Sequence, residues 1–557
     1  MIKKVSYLLS ILLVSGFLIW EYKVNIIVWT LPKVMNFVNP IQENIPTNWT
    51  EGPSEKLDIK DSRPNIILIL ADDMGYNDIS LHNGGAADGS LQTPHIDSLA
   101  TNGVWFSKGY AANATCAPSR ASIMTGRYAT RFGFEFTPVP DAGRTVLTWL
   151  AEEDDSELRS RIDKDLAMNL PPFLDQGMPS EQITIAEILK DSGYYTAHIG
   201  KWHLGHASGM DPQSQGFDDS LSLAGSYYLP EDHPQVVNAK FDTSIDKMVW
   251  SSGQYAAQFN GGDFFEPDKY VTDYYTDEAL KVIEKNQNRP FFLYLSHWAI
   301  HNPLQALRDD VEQMSHMPGH NLQVYSGMIR SLDRSVGKII QKLKDLKIYG
   351  KTLIIFTSDN GGANYIELED INKPFRGWKI SFFEGGIRVP FIVSWPDEIS
   401  PGMKFDEAVH HFDIFSTIAS AARAKTPEDR KIDGVDLLPF LRMDNSNKPH
   451  ETLFWRSGNH QSVLHRNWKY IISKKENKRW LFDTSVDPFE KNNLIESHQE
   501  DAKKIEKLLA KFNSEQTSPL FPSAFEAPIL IDKYDGQEYR EGDEYIIGLI
   551  KLIYTNF

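Results

Sequence analysis

Four oxygen-bearing side chains follow two apolar runs in this sequence. Asp72 and Asp73 come after NIILIL (65–70), and Asp359 and Asn360 after LIIFT (353–357). Carboxylates held side by side repel one another and rise in pKa unless a cation sits among them. An all-oxygen set suits a hard ion such as Ca2+ or Mg2+ and argues against zinc. An Asp-Asp pair alone reads as a turn or helix cap; Ser-Asp-Asn-Gly-Gly after the second run turns the reading towards a metal. Lys201 and His203 follow YTAHI (195–199), and His301 follows FFLYL (291–295). Cys116 stands in Cys-Ala-Pro-Ser-Arg, with Pro118 where a first helical turn accepts proline. That spacing predicts Cys116 at a helix N-terminus, where backbone N–H groups favour an anion, with Arg120 in the same turn. A lone cysteine is ordinarily a small buried hydrophobe and a lone histidine a structural one; the flanking Pro, Ser and Arg point the other way for Cys116.

The elements that must position these groups are legible as β-branched and aromatic runs: Asn65–Leu70, Tyr195–Ile199, Phe291–Leu295, Leu353–Thr357 and Phe391–Trp395. Helical patterns lie between them. The clearest runs from Leu322 to Leu346, with apolar residues such as Tyr325, Met328, Ile329, Leu332, Val336 and Ile339 at spacings of three and four. Alternating strands and helices predict an α/β sheet covered on both faces. In such a sheet the ligand site lies beyond the carboxyl ends of the strands, where the polar groups above fall.

Composition narrows the class. The chain has 557 residues, room for two or three domains, with 41% hydrophobic and 24% charged residues, as in a folded globular protein. Lys and Arg number 57 against 75 Asp and Glu, a formal charge of −18. An acidic chain is a poor nucleic-acid binder, so no nucleic-acid partner is expected. One cysteine allows neither an intrachain disulfide nor a thiolate cluster. Lys3 and Lys4 followed by an apolar run from Val5 to Trp20 make 1–38 a signal peptide or membrane anchor, with the body exported, periplasmic or secreted. Residues 39–64 read as a tether, 65–448 as the catalytic domain and 449–557 as a smaller C-terminal α+β subdomain. Residues 152–165 read as a solvated insertion, and 205–267, rich in Gly, Asp and aromatics, as a long functional loop.

The stretch Cys116–Arg127 resembles the signature of the type I, formylglycine-dependent sulfatases of the alkaline phosphatase-like superfamily. ADDMG (71–75), GKWHLG (200–205), His301-Asn-Pro, Asp359-Asn-Gly-Gly, RGWK (376–379) and EGGIR (384–388) are similar to further sulfatase motifs in the same order. The resemblance implies a large mixed sheet sandwiched by helices, with a smaller C-terminal α+β domain. It implies an arylsulfatase-like sulfuric ester hydrolase in which a formylglycine-generating or anaerobic sulfatase-maturing enzyme converts Cys116 to Cα-formylglycine. It further implies Ca2+ held by Asp72, Asp73, Asp359, Asn360 and the modified Cys116. Arg120 and Lys201 would stabilise the aldehyde hydrate and His203 would be its base. His301 would face the leaving oxygen, and Lys379 would bind the sulfate.

The expected substrate is a sulfated carbohydrate. RFGFEFTP (131–138) resembles sulfatases acting on algal galactans such as carrageenan. Tyr227, Tyr228, His233, Trp250, Tyr255, Phe264 and Phe265 are candidates for a sugar platform. His95, His198, His206 and His297 are read as structural. Two alternatives stand: a phosphodiester or phosphonate monoester hydrolase of the same superfamily, disfavoured by Asn360 where those enzymes tend to carry His, and a non-catalytic sulfated-glycan binding protein.

Overall fold

The computed structural model describes residues 40–549, apart from 57–60, 83, 87–88, most of 140–156, 208, 243–245, 248 and 251–252, together with Thr30 and Phe37. Residues 1–38, expected to be a signal peptide or membrane anchor, lie outside the described residues but for those two positions. Among the described residues no helix is long and apolar enough to cross a membrane.

The sheet grows from the five runs recognised above. Ten strands form it: β1 (Asn65–Ala71), β2 (Val104–Phe106), β3 (Tyr195–Gly200), β4 (Asp219–Leu223), β5 (Ala257–Phe259), β6 (Phe264–Phe265), β7 (Phe291–Ser296), β8 (Thr352–Ser358), β9 (Phe391–Ser394) and β10 (Met403–Phe405), in the order β10-β2-β9-β8-β1-β7-β3-β4-β5-β6. The central strands β8, β1, β7, β3 and β4 run parallel. The outer pairs β8/β9, β9/β2, β4/β5 and β5/β6 are antiparallel, so the sheet is mixed.

Each face is buried, which is why the central strands are apolar without alternation. In β1, Ile67, Ile69 and Ala71 enter one core cluster while Ile66, Leu68 and Leu70 enter another. The first face is covered by α1 (Pro94–Thr101), α4 (Val271–Lys285) and α5 (His320–Asp345), and the second by α2 (Cys116–Thr125), α3 (Ile185–Asp191) and α6 (Asp413–Ala422). The stripe of α5 lands as its spacing predicts: Tyr325, Met328, Ile329, Leu332, Val336 and Ile339 are fully buried, each contributing about 1.5–3 kcal/mol on transfer from water.

The C-terminal region is an antiparallel sheet of β11 (Thr452–Ser457), β12 (His460–His465), β13 (Trp468–Ser473) and β14 (Lys478–Asp483), backed by α7 (Gln499–Ser514). Beyond it, β15 (Phe525–Leu530) pairs with β16 (Tyr545–Leu549) and with the two-residue strand Arg161–Ile162.

Three expectations are corrected. The 39–64 stretch is not a free tether along its described length: Trp49 is buried and its indole N–H donates to Glu278 at 2.6 Å, while Gln42 bridges to Phe265. The 205–267 stretch is not a structureless loop, because it supplies β4, β5 and β6. The sugar platform is mostly core: Tyr228, Trp250, Tyr255 and Phe265 are buried, and Tyr228 OH donates to the Trp298 and His301 carbonyls at 2.9 Å.

Candidate active site

Parallel strands deliver their following residues to one edge of the sheet. Asp72 and Asp73 leave β1, Lys201 and His203 leave β3, His301 leaves β7, and Asp359 and Asn360 leave β8. Gly200 ends β3 at φ 106, and a Cβ there would stand 1.9 Å from the Ser296 carbonyl, so only glycine lets Lys201 turn in beside β7. Asp73 and His203 adopt left-handed backbone (φ 60 and 64) without being glycine. Such strain gathers where side chains must converge.

The convergence is tight. Carboxylate oxygens of Asp72, Asp73 and Asp359 and the Cys116 sulfur all lie within 4.8 Å of one another, every one buried. Cys116 opens helix α2, as expected, and its Sγ lies 3.4 Å from Asp72 Oδ1 and 3.5 Å from Asp73 Oδ1. Asn360 donates through Nδ2 to Asp73 Oδ1 at 2.8 Å, while its Oδ1 is buried with no hydrogen-bond partner. An orphaned amide oxygen beside three buried carboxylates fits a hard cation, with Asp72, Asp73, Asp359 and Asn360 as its oxygen ligands.

Four basic side chains offset the acids. Arg120 donates to Asp359 Oδ2 at 2.9 Å, Asp72 Oδ2 at 3.2 Å and the Lys201 carbonyl at 3.0 Å, and also bonds Ser296. Lys201 Nζ reaches Asp72 Oδ2 at 2.5 Å, and Lys379 Nζ reaches both Asp73 oxygens, Oδ1 at 2.6 Å. His301 Nε2 lies 3.5 Å from Asp73 Oδ2; its Nδ1 stands 2.6 Å from the Asn302 carbonyl and so carries the proton there. Burial and the neighbouring Asp359 push the Asp72 carboxyl up, against Lys201 and Arg120. Burial pushes Asp359 up as well, but Arg120 and then Lys201 win and hold it down. Burial disfavours the Lys379 cation, yet Asp73 holds it charged. His203, two residues past Lys201, is half-buried.

Every expected residue therefore lies at or beside one edge. The histidines read as structural behave so where they are buried: His198 bonds Ser220 and His297 bonds Ser335, and burial drives each imidazole to about 3. Other contributors were not legible. Tyr365 OH donates to Asp73 at 3.1 Å and accepts from Lys379 at 3.1 Å. Trp298 stacks on His301 with centroids 4.0 Å apart and lies 4.8 Å under Lys201. His411 braces α2 and β8 from behind through Ser119 and Thr357.

A family model described as sulfatase matches residues 64–424. The chain belongs to the sulfatase family. A second model, the C-terminal region of N-sulphoglucosamine sulphohydrolase, matches residues 377–517 of this sulfatase. N-acetylgalactosamine-6-sulfatase of Sus scrofa is 33% identical over 382 residues, 68% of this chain and 66% of the relative, so the match spans just under two thirds of that protein. Human steryl-sulfatase is 31% identical over 502 residues, covering 78% of this chain and 79% of its own. Among solved structures, Ps i-CgsB in complex with k-i-k-neocarrahexaose superposes with a TM-score of 0.68 at 28% identity, covering 83% of this chain and 95% of that one. Family and fold together make this a sulfatase-family protein built on a large mixed α/β sheet.

Proposed function

We propose that this sulfatase removes sulfate from a sulfated carbohydrate, using Ca2+ and a formylglycine made from Cys116 by a maturation enzyme, in an exported setting. The observation that carries this reading is the Cys116 sulfur at the head of α2, 3.4 and 3.5 Å from two buried carboxylates of a cation-shaped cluster. Ca2+ held by Asp72, Asp73, Asp359 and Asn360 would draw charge from the sulfate oxygens. As a hydrated aldehyde, residue 116 would supply one hydroxyl to attack sulfur and a second whose deprotonation expels sulfate and restores the aldehyde.

The remaining groups have positions that suit their parts. Arg120, fixed by two carboxylates and a carbonyl, cannot swing, and so orients residue 116 from its own helix turn. Lys201 pairs with Asp72 and Lys379 with Asp73, so sulfate oxygens held at the cluster would meet both cations. His301, with Nδ1–H tied to a carbonyl, would act as an imidazolium whose second proton, on Nε2 3.5 Å from Asp73 Oδ2, passes to the departing oxygen. His203 is the base towards the hydrate.

Mass spectrometry of the peptide spanning Cys116 from active enzyme tests the reading. An aldehyde in place of the thiol is expected, and Cys116→Ser is expected to fold yet lose turnover. Full activity with an intact thiol sinks it. Aryl phosphodiesters should turn over more slowly than aryl sulfates; the reverse order would favour the phosphoryl alternative.

A further inference from the structure

The fold continues beyond residue 517 through β15 and β16, and this C-terminal arm packs on the segment around Lys379. Arg376 and Gly377, in the segment that carries Lys379, hold this arm down. Arg376 Nε and Nη2 donate to Asp532 at 2.6 and 2.5 Å, and Gly377 N donates to the Ile531 carbonyl at 3.3 Å. A Cβ on Gly548 of β16 would stand 2.6 Å from Ile380, the residue after Lys379. The arm is therefore anchored on the catalytic loop itself.

Between the arm and Asn364 runs a cleft of about 430 Å3. Asn364 precedes Tyr365, whose hydroxyl touches both Asp73 and Lys379, and its carbonyl accepts from Asp535 N at 3.1 Å. The lining chemistry is specific: Tyr534 and Tyr539 supply aromatic faces, Asp535, Glu538 and Glu157 carboxylates, and Gln537 an amide. No Lys or Arg among the described residues lines it. The adjacent Lys533 is spent on Asp543 at 2.5 Å and on the Glu538 carbonyl at 3.0 Å.

Resting on the sulfatase reading, we infer that this cleft binds an uncharged sugar residue linked to the sulfated one, and so selects carbohydrates whose neighbouring units carry neither carboxylate nor sulfate. Tyrosine faces take the apolar side of a pyranose, and carboxylates accept from its hydroxyls in charge-assisted hydrogen bonds. The same carboxylates, with no cation among them, repel an anionic unit and leave it unpaired. The half-buried Tyr534 and Tyr539 of the arm thus line the cleft, as the buried aromatics of 205–267 do not.

The test compares the full-length enzyme on three substrates: 4-nitrophenyl sulfate, a galactan tetrasaccharide bearing one sulfate, and a uronate-containing tetrasaccharide bearing one sulfate. The neutral tetrasaccharide should exceed the uronate one in kcat/KM by about tenfold or more, the worth of one charge-assisted hydrogen bond. Tyr539→Ala and Asp535→Asn should each raise KM for the neutral tetrasaccharide about tenfold. Their kcat and their 4-nitrophenyl sulfate kinetics should stay unchanged. Glu538→Lys, at an exposed position, should narrow the preference. Unchanged KM in all three variants, or a wild-type preference for the uronate substrate, overturns the inference while aryl sulfate turnover persists. Absence of turnover on every sulfate ester would instead bring down the hydrolase reading, and this inference with it.

Discussion

Tyr365 shows how much a single hydroxyl can govern at this site. It donates to Asp73 and accepts from Lys379, so it fixes the distance between a cation ligand and the lysine that would meet sulfate. Tyr365→Phe removes both contacts from a buried site and leaves the ring in place. Losing a hydrogen bond to a charged group costs about 1.5–3 kcal/mol, so kcat/KM on an aryl sulfate should fall about 10- to 100-fold. Calcium content, measured by elemental analysis, should stay within twofold, since the oxygen ligands remain. Unchanged kcat/KM would show Tyr365 to be packing only. This tyrosine was invisible in the sequence because one polar residue in an aperiodic loop gives no spacing signal. Asp72, Asp73, Asp359, Asn360 and Lys201 were visible because they follow apolar strands directly, and His301 because it lies five residues past the end of one. Trp298 was hidden for the reason that hid Tyr365: its role is contact with His301, and contact is not written in spacing.

At the scale of elements, the C-terminal sheet is joined to the catalytic segment 384–388 by buried charge. Lys469 of β13 meets Glu384 at 2.6 Å and Glu490 at 2.8 Å, while Arg388 and Tyr110 meet Glu384 at 2.9 and 3.1 Å. Burial lifts the Glu490 carboxyl to about 7, against the pull of Lys469. The folded state then binds this proton more tightly than the unfolded one, so the contribution to stability falls as pH rises from about 4.5 towards 7. Glu490→Gln keeps the shape and removes the titration. The wild type should lose stability relative to Glu490→Gln between pH 5 and pH 8, by at most about 3 kcal/mol at 1.36 kcal/mol per unit, read by thermal melts across that range. Parallel curves for the two proteins would refute it. Strand legibility divides along the same physical line. The central strands were readable because burial on both faces demands continuous apolar sequence. The short β5 and β6 were not, because so few residues take their conformation from pairing rather than from their own pattern.

Across the whole molecule, on the proposed function, a formal charge of −18 would have to receive an anionic substrate. Arg120, Lys201 and Lys379 are buried and matched by the carboxylates of Asp72, Asp73 and Asp359, which leaves only a bound Ca2+ to project positive charge, while Glu157 and the arm's Asp535 and Glu538 add negative charge along the cleft. A sulfated oligosaccharide would therefore be repelled once it comes within about a Debye length, about 10 Å at 0.1 M salt and 30 Å at 0.01 M. Raising ionic strength shortens the range of that repulsion and should speed encounter. For a substrate with several sulfates, kcat/KM should rise about two- to fivefold between 10 and 150 mM NaCl, while kcat stays level because the chemistry lies inside the screened edge. A substrate with one sulfate should respond less, in proportion to its charge. A fall in kcat/KM with salt would mean that a bound Ca2+, with Lys201 and Lys379, projects an attractive field that outweighs the acidic surface.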